Sequence, residues 1–199
     1  MDSLEEYLYY WAHNNGTHHS ILLSATRGMG KTVLLQKLAY RLGREWIRWK
    51  QRPLPVYFKF NKWKTSDDRK IIAKPREAFE EYLKDACINF NWDNFVSDVK
   101  NGRVILFLDG LDELTKVPEK DGIENIVNEI LITFASEKAK IVISLRPELF
   151  QSKTKLFQVL PETKRLEKTA SEKTCFYPVN LEFLTLEQIN KYLVKRFGD

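Results

Sequence analysis

Cysteine and histidine are scarce in this chain, with two Cys and three His among 199 residues. Two cysteines, Cys87 and Cys175, do not make a disulfide framework or a zinc cluster, so a reduced, cytoplasmic setting is expected. His13, His18 and His19 leave little room for a histidine-based metal site. Apolar runs are also short. Val104–Leu108 is typical of them and falls far below the roughly 20 residues that cross a bilayer, so no transmembrane segment is expected. The opening MDSLEEYLYYW starts acidic and lacks the basic region and small-residue cleavage site of a signal peptide. No internal repeat, low-complexity tract or linker divides the chain.

What is present is an ordinary folded composition, 43% hydrophobic and 30% charged, which rules out wholesale disorder. The length suits one domain with at most a short appendage. The net charge of +5 is unevenly spread. Residues 41–76 hold 12 Lys/Arg against 3 Asp/Glu, and residues 77–137 hold 5 against 14. A basic block of this kind can meet nucleic acid or anionic lipid. It reads first as a solvated helix end and loop, with the acidic block as its internal counterweight.

Along the chain, short apolar runs alternate with helical stripes. Leu4–Ala12 has helical spacing, and Ser20–Ser24 has the length of a buried strand. Lys31 to about Gly43 carries Val33, Leu34, Leu35, Leu38, Ala39 and Leu42 at a spacing that puts a stripe on one helical face, and the helix can run on through Trp46 and Trp49. Val56–Phe60 is rich in β-formers. Pro75 suits a first helical position before an amphipathic Arg76–Phe90, and Asp93–Lys100 is helical to a stop at Asn101-Gly102. Val104–Leu108 is apolar on both faces, as a central parallel strand should be. Ile123–Ala135, Lys140–Ser144, Phe176–Leu181 and Thr185–Phe197 follow as helix, strand, strand and helix. This alternation predicts an α/β fold with a mainly parallel sheet.

Three segments carry chemistry. Ala25-Thr-Arg-Gly-Met-Gly-Lys-Thr32, between the first strand and a helix, fits the phosphate-loop pattern at every position but the first. Thr26, Arg27, Gly28, Met29 and Gly30 form a turn whose N–H groups can face phosphate oxygens, and the helix adds its positive end. Lys31 supplies an ammonium for the β and γ phosphates, and Thr32 a hydroxyl for Mg²⁺. Ala25 stands where the pattern has glycine. Its methyl group disfavours positive φ, predicting strain on the order of 1 kcal/mol and weaker binding. In the second segment, Val104–Leu108 ends in Asp109, a carboxylate delivered to the sheet edge where a Mg²⁺ would sit. Asp112 and Glu113 follow, either of which could orient and deprotonate an attacking water. In the third, Ser144 and Arg146 reach the same edge if the strand at 140–144 lies between the other two. An arginine there can sense or stabilise γ-phosphate charge.

Together ATRGMGKT, ILFLDGLDEL, IVISLRP and the tail from Leu181 to Phe197 resemble the NACHT family, signal-transduction ATPases of the STAND class. The resemblance covers roughly residues 18–197. It implies a P-loop NTPase three-layer sandwich with a five-stranded sheet in the order 5-1-4-3-2. It implies ATP/ADP and Mg²⁺ as cofactors, held by Ala25–Thr32, with Thr32 and Asp109 on the metal. Asp112, Glu113 and Arg146 take catalytic roles by the same resemblance. The implied function is a nucleotide-controlled switch for self-association and signalling, of the innate-immunity or antiviral type, with slow hydrolysis. The implied divisions are an N-terminal helix or linker over 1–17, a nucleotide-binding domain over 18–182, and the start of a helical lid over 183–199. Leu145 stands where the family often has serine, removing a hydroxyl near the γ-phosphate.

Two other readings are open. A non-hydrolysing interaction scaffold would explain Ala25 and Leu145 as marks of decay. A nucleic-acid-acting ATPase would use the basic, aromatic run Trp46–Arg52. Against it, tryptophans at i and i+3 on a helix more often pack on the sheet, so nucleic acid is not the expected partner. Asn61-Lys-Trp-Lys64 lacks the aspartate of a guanine-reading motif and precedes the acidic strand, so ATP is favoured by resemblance alone.

Overall fold

Every residue of Val104–Asp109 is buried, so this strand, β3, needs a covering layer on each face. The computed structural model supplies both. It describes residues 3–14, 19–63, 74–85, 91–116, 122–146, 175–181, 185–187, 190 and 194. The other strands are β1 (His19–Ser24), β2 (Leu54–Lys59), β4 (Lys140–Leu145) and β5 (Cys175–Asn180). All pairings are parallel and the order is β2-β3-β4-β1-β5, the expected 5-1-4-3-2 read from the opposite edge.

The described helices include α1 (Leu4–His13), α2 (Lys31–Arg48), α3 (Pro75–Asp85), α4 (Trp92–Lys100) and α5 (Gly122–Phe134). Side chains of a strand alternate between faces, and β3 and β4 show it. Ile105, Phe107 and Val142 pack with Leu8 and Trp11 of α1 and Leu35, Leu38 and Leu42 of α2. Leu106, Leu108, Ile141 and Ile143 pack on the other face with Phe79 of α3, Val99 of α4 and Ile130 of α5. A cluster of rings fills that second layer, with Phe58 4.7 Å and Phe134 6.0 Å from Phe79 between centroids. The three-layer α/β sandwich expected of a P-loop NTPase is therefore present.

β2 begins two residues earlier than its β-formers suggest, because Leu54 N–H donates to Arg103 O (2.8 Å) and extends the ladder. Pro55 reads as a boundary in the sequence, yet an edge strand tolerates a missing N–H, and β2 has a partner on one side only. Trp49 departs further. Instead of packing on the sheet it leaves helical geometry at the end of α2 and is 55% exposed. Residues 86–90, with Cys87, the stretch 147–174 and most of the closing helix expected over 185–197 lie outside the described residues.

α1 is docked, not dangling. Ser3 caps it by accepting from Glu6 N–H, while Leu8, Trp11 and Ala12 are buried. On α2 its partners include Glu45, which accepts from the Tyr9 hydroxyl and pairs with His13 (2.8 Å). At its C-terminal end the helix leaves carbonyls without intrahelical donors. Lys140, at the start of β4 and only 3% exposed, donates to the carbonyls of Trp11 (3.0 Å), Ala12 (2.8 Å) and Asn14 (3.1 Å). The cation also complements the helix dipole. Burial pulls the Lys140 ammonium down to about 8.

Unfolded lysine titrates near ~10.4, above the value of about 8 held in the fold. Between the two the unfolded chain binds more protons, so Lys140's contribution to stability increases as pH rises through that window. In urea titrations the free-energy difference between wild type and Lys140→Met should shift in favour of wild type from about pH 8 to about pH 10. A pH-independent difference would contradict this account.

Candidate nucleotide and metal site

The C-terminal edge of the sheet is where the motifs meet. β1 delivers residues 25–30 as a turn, with Gly28 at φ 84° and Gly30 at φ 85°. Side chains rarely adopt that backbone region, and glycine adopts it freely. Gly30 is also the N-cap of α2 and gives it no side-chain cap. The first turn of that helix thus begins at a residue with no side chain to cap it, an arrangement that leaves room for an anion. Ala25 remains on the β-ladder, its N–H donating to Leu145 O (3.4 Å), and its methyl is buried. The sharp bend is made further on, at the two glycines.

Lys31 is 9% exposed, and its ammonium bonds the carbonyls of Ala25 and Thr26, the latter at 3.1 Å. A buried ammonium needs acceptors. The loop's own carbonyl oxygens provide them.

Asp109 is the centre of the arrangement and is 4% exposed. Oδ2 accepts from Thr32 Oγ1 (2.8 Å) and from the Tyr57 hydroxyl (2.7 Å), and Oδ1 accepts from Ser144 Oγ. Ser144 in turn accepts from Gly110 N–H (2.8 Å). Four elements thus converge on one carboxylate: the start of α2, β2, β4 and the end of β3. Burial first, and the Asp109 carboxylate second, push the Tyr57 hydroxyl well above its ordinary range, so it stays a donor.

A 3₁₀ turn over Leu111–Lys116 follows Gly110. In such a turn i and i+3 lie one above the other, and Leu111 and Leu114 are both buried. Anchoring them turns Asp112 and Glu113 toward the cleft. Asp112, 6% exposed, holds Arg146 Nε at 2.7 Å. Glu113 stands at the rim. Partial burial of its carboxyl, reinforced by the charges of Asp112 and Asp109, raises its pKa, with Lys59 and Arg146 acting in the opposite sense.

Of the residues the motifs singled out for chemistry, Arg27 to Thr32, Asp109, Asp112, Glu113 and Arg146 line one cleft of about 270 Å³, and Ala25 and Thr26 do not. That volume lies near the lower end of small-molecule pockets and suits phosphates more than a whole nucleotide. Ser144 lines it too. Leu145 does not, being buried in the core on the opposite side of β4. The hydroxyl expected to be lost at 145 is thus supplied one residue earlier. Tyr57 went unnoticed in the sequence, where a tyrosine in a β-rich run signals only a strand. The signal available was its position two residues before the end of the strand next to β3, paired with Phe107.

A Thr hydroxyl and a carboxylate oxygen 2.8 Å apart are hard oxygen donors, the set that suits Mg²⁺ when phosphates and waters complete the shell. Among the described residues no group of three or more His, Cys, Asp and Glu could hold a metal by itself.

The family model of the NACHT domain matches residues 19–199. Among curated proteins nothing matches the sequence. Among solved structures the fold is similar to a Walker-type ATPase of Pyrococcus abyssi, with TM-score 0.52 and 14% identity over 98% of this chain and 57% of that one. It is also similar to AMPPCP-bound DnaA from Aquifex aeolicus (TM-score 0.48, 23% identity, 97% and 50% covered). A third is the Aeropyrum pernix Orc1 protein in complex with DNA (TM-score 0.49, 15% identity, 89% and 43% covered). At these identities the likeness is one of fold, and the chain spans about half the length of these structures.

Two substitutions test the geometry. Tyr57→Phe removes one hydrogen bond to a charged group, worth about 1.5–3 kcal/mol, and should lower the melting temperature by several degrees in thermal unfolding. Gly110 has φ 79°, and a Cβ there would meet the Glu113 carboxyl carbon at 3.1 Å. Gly110→Ala should therefore cost about 1 kcal/mol or more in thermal unfolding and displace Glu113, whereas a variant as stable as wild type would refute the assigned backbone.

Proposed function

The chain belongs to the NACHT family of P-loop NTPases, and on that premise we propose that it binds ATP or ADP with Mg²⁺ and acts as a nucleotide-controlled switch for self-association and signalling. Hydrolysis in this reading is slow, and the setting is cytoplasmic defence or immunity. The observation that carries it is the 2.8 Å bond between Thr32 and Asp109, two residues 77 positions apart that the fold brings to one cation's width.

The roles follow from the cleft. When phosphate enters, the Lys31 ammonium exchanges the carbonyls of Ala25 and Thr26 for phosphate oxygens, a stronger charge-assisted pairing. The uncapped first turn of α2 and the N–H groups of the glycine turn take the remaining oxygens. Bound Mg²⁺, held by Thr32 and Asp109, would neutralise charge between the phosphates. Glu113, with its raised pKa, is the group that accepts a proton from the attacking water, since base strength is most useful when matched to the working pH. Asp112 is engaged with Arg146 and serves as its holder.

The Asp112–Arg146 pair also supplies the two-state element that a switch requires. A γ-phosphate competes with Asp112 for the guanidinium, and its loss returns the arginine to the carboxylate. That differential contact is what lets a ligand shift an equilibrium. The division into a short N-terminal helix over 1–17, a nucleotide domain over 18–182 and the start of a lid from 183 belongs to the same proposal, as does ATP over GTP. Among the described residues no helix is long and apolar enough to cross a membrane.

The test is calorimetric titration with ATP and Mg²⁺ alongside a phosphate-release assay. Lys31→Ala should weaken binding at least tenfold. Glu113→Gln should bind within about threefold of wild type yet lose turnover by about 100-fold. Equal affinity of wild type and Lys31→Ala would overturn nucleotide control and leave the interaction scaffold as the better reading.

A further inference from the structure

On the outer side of α2, Lys37, Arg41, Arg44 and Arg48 follow one another at steps of four, three and four residues. At 3.6 residues per turn these steps align four cations on one stripe, about 16 Å long at 1.5 Å per residue. α1 answers the first half of it, with Glu5 on Lys37 (2.7 Å) and Glu6 on Arg41 (2.7 Å). The second half is different. Among the described residues neither Arg44 nor Arg48 has a carboxylate partner. Beside them two large rings face outward: Tyr40, 69% exposed with the Arg44 guanidinium 5.9 Å over it, and Trp49, 55% exposed.

Tyr40, Arg44, Arg48 and Trp49 line one groove, and Trp49 also lines a second with Gln51 and Arg52. Folding does not ask for this arrangement. Neighbouring Trp46 is half-buried beneath the Lys50 ammonium, 3.5 Å above its ring, whereas Trp49 presents its ring to water. A row of guanidinium groups beside flat apolar rings matches a ligand that is itself a chain of anions carrying flat rings. Every nucleobase has a face to stack, and every linkage a charge for arginine. A duplex hides those faces, and an acidic peptide meets the charge without using the rings.

We propose that the C-terminal half of α2 and the turn that follows bind single-stranded nucleic acid, with the backbone along Arg44, Arg48 and Arg52 and bases stacked on Trp49 and Tyr40. By the rise per residue this surface runs from about 12 Å (Tyr40) to about 25 Å (Trp49) along α2 from Thr32, and none of its residues lines the phosphate-loop cleft.

The experiment is fluorescence anisotropy of a labelled twelve-nucleotide oligo-dT with the intact chain, at several salt concentrations. Binding should saturate, with a slope of log K against log salt near about −2 for three phosphate contacts at ~0.7 each. Trp49→Ala should weaken binding five-fold or more without changing the slope. Arg44→Ala combined with Arg48→Ala should bring the slope closer to zero by about 1.4. Because these side chains are exposed, both variants should keep the wild-type melting temperature and Mg²⁺–ATP affinity, which separates this proposal from the nucleotide reading. A slope near zero, variants that bind like wild type, tighter binding to the matching duplex, or equal binding to polyglutamate of similar length would each overturn it. The last result would identify an acidic protein surface as the partner.

Discussion

A buried carboxylate must be fully answered or its burial costs several kcal/mol. Asp109 meets that demand with three hydroxyl groups, from Thr32, Tyr57 and Ser144, each carried by a different element. The consequence is architectural. β3 has to place the carboxylate at the sheet edge, β4 must lie beside it in a register that brings Ser144 within reach, and the first turn of α2 must come over the same point. A slip of one residue would send Ser144 into the core and Leu145 into the cleft.

α2 links the ends of the molecule. Its first turn holds Lys31 and Thr32, its inner face packs Leu35, Leu38 and Leu42 on the sheet, and its outer face meets α1 through Glu5, Glu6 and Glu45. Lys140 secures the far end of α1 to β4. α1 and α2 are thus joined by packed side chains and charge pairs.

Charge is distributed to match. The acidic residues nearest the phosphate loop are not a solvated decoration of a loop. Asp109 is satisfied by hydroxyls, Asp112 by Arg146, and Glu113 alone stands at the rim. The basic excess of residues 41–76 falls partly on the outer face of α2, where α1 compensates its first half and leaves the second half to solvent or a partner.

Much of the fold was legible because the signals are local. A six-residue apolar run needs two covering layers wherever it occurs, alternation of strands and helices implies parallel pairing, and glycines before Lys31-Thr32 imply a phosphate turn. The identity of the site's motif residues was equally legible. Partnership was not, because it depends on register and on which face of an element points inward. The sequence could leave Asp112 and Glu113 interchangeable, and only the anchoring of Leu111 and Leu114 separated an arginine-bound carboxylate from one at the rim. It could not find Tyr57, whose role exists only because β2 lies beside β3, and it could place Ser144 at the edge only on the condition that β4 lies between β1 and β3. It placed Trp49 against the sheet, where the helix ends one residue too soon for that. Local chemistry thus determined which residues can form a site, and the parallel register of β2, β3 and β4 decided which side chains touch there, because hydrogen bonds between residues 35 to 77 positions apart exist only once the sheet has formed.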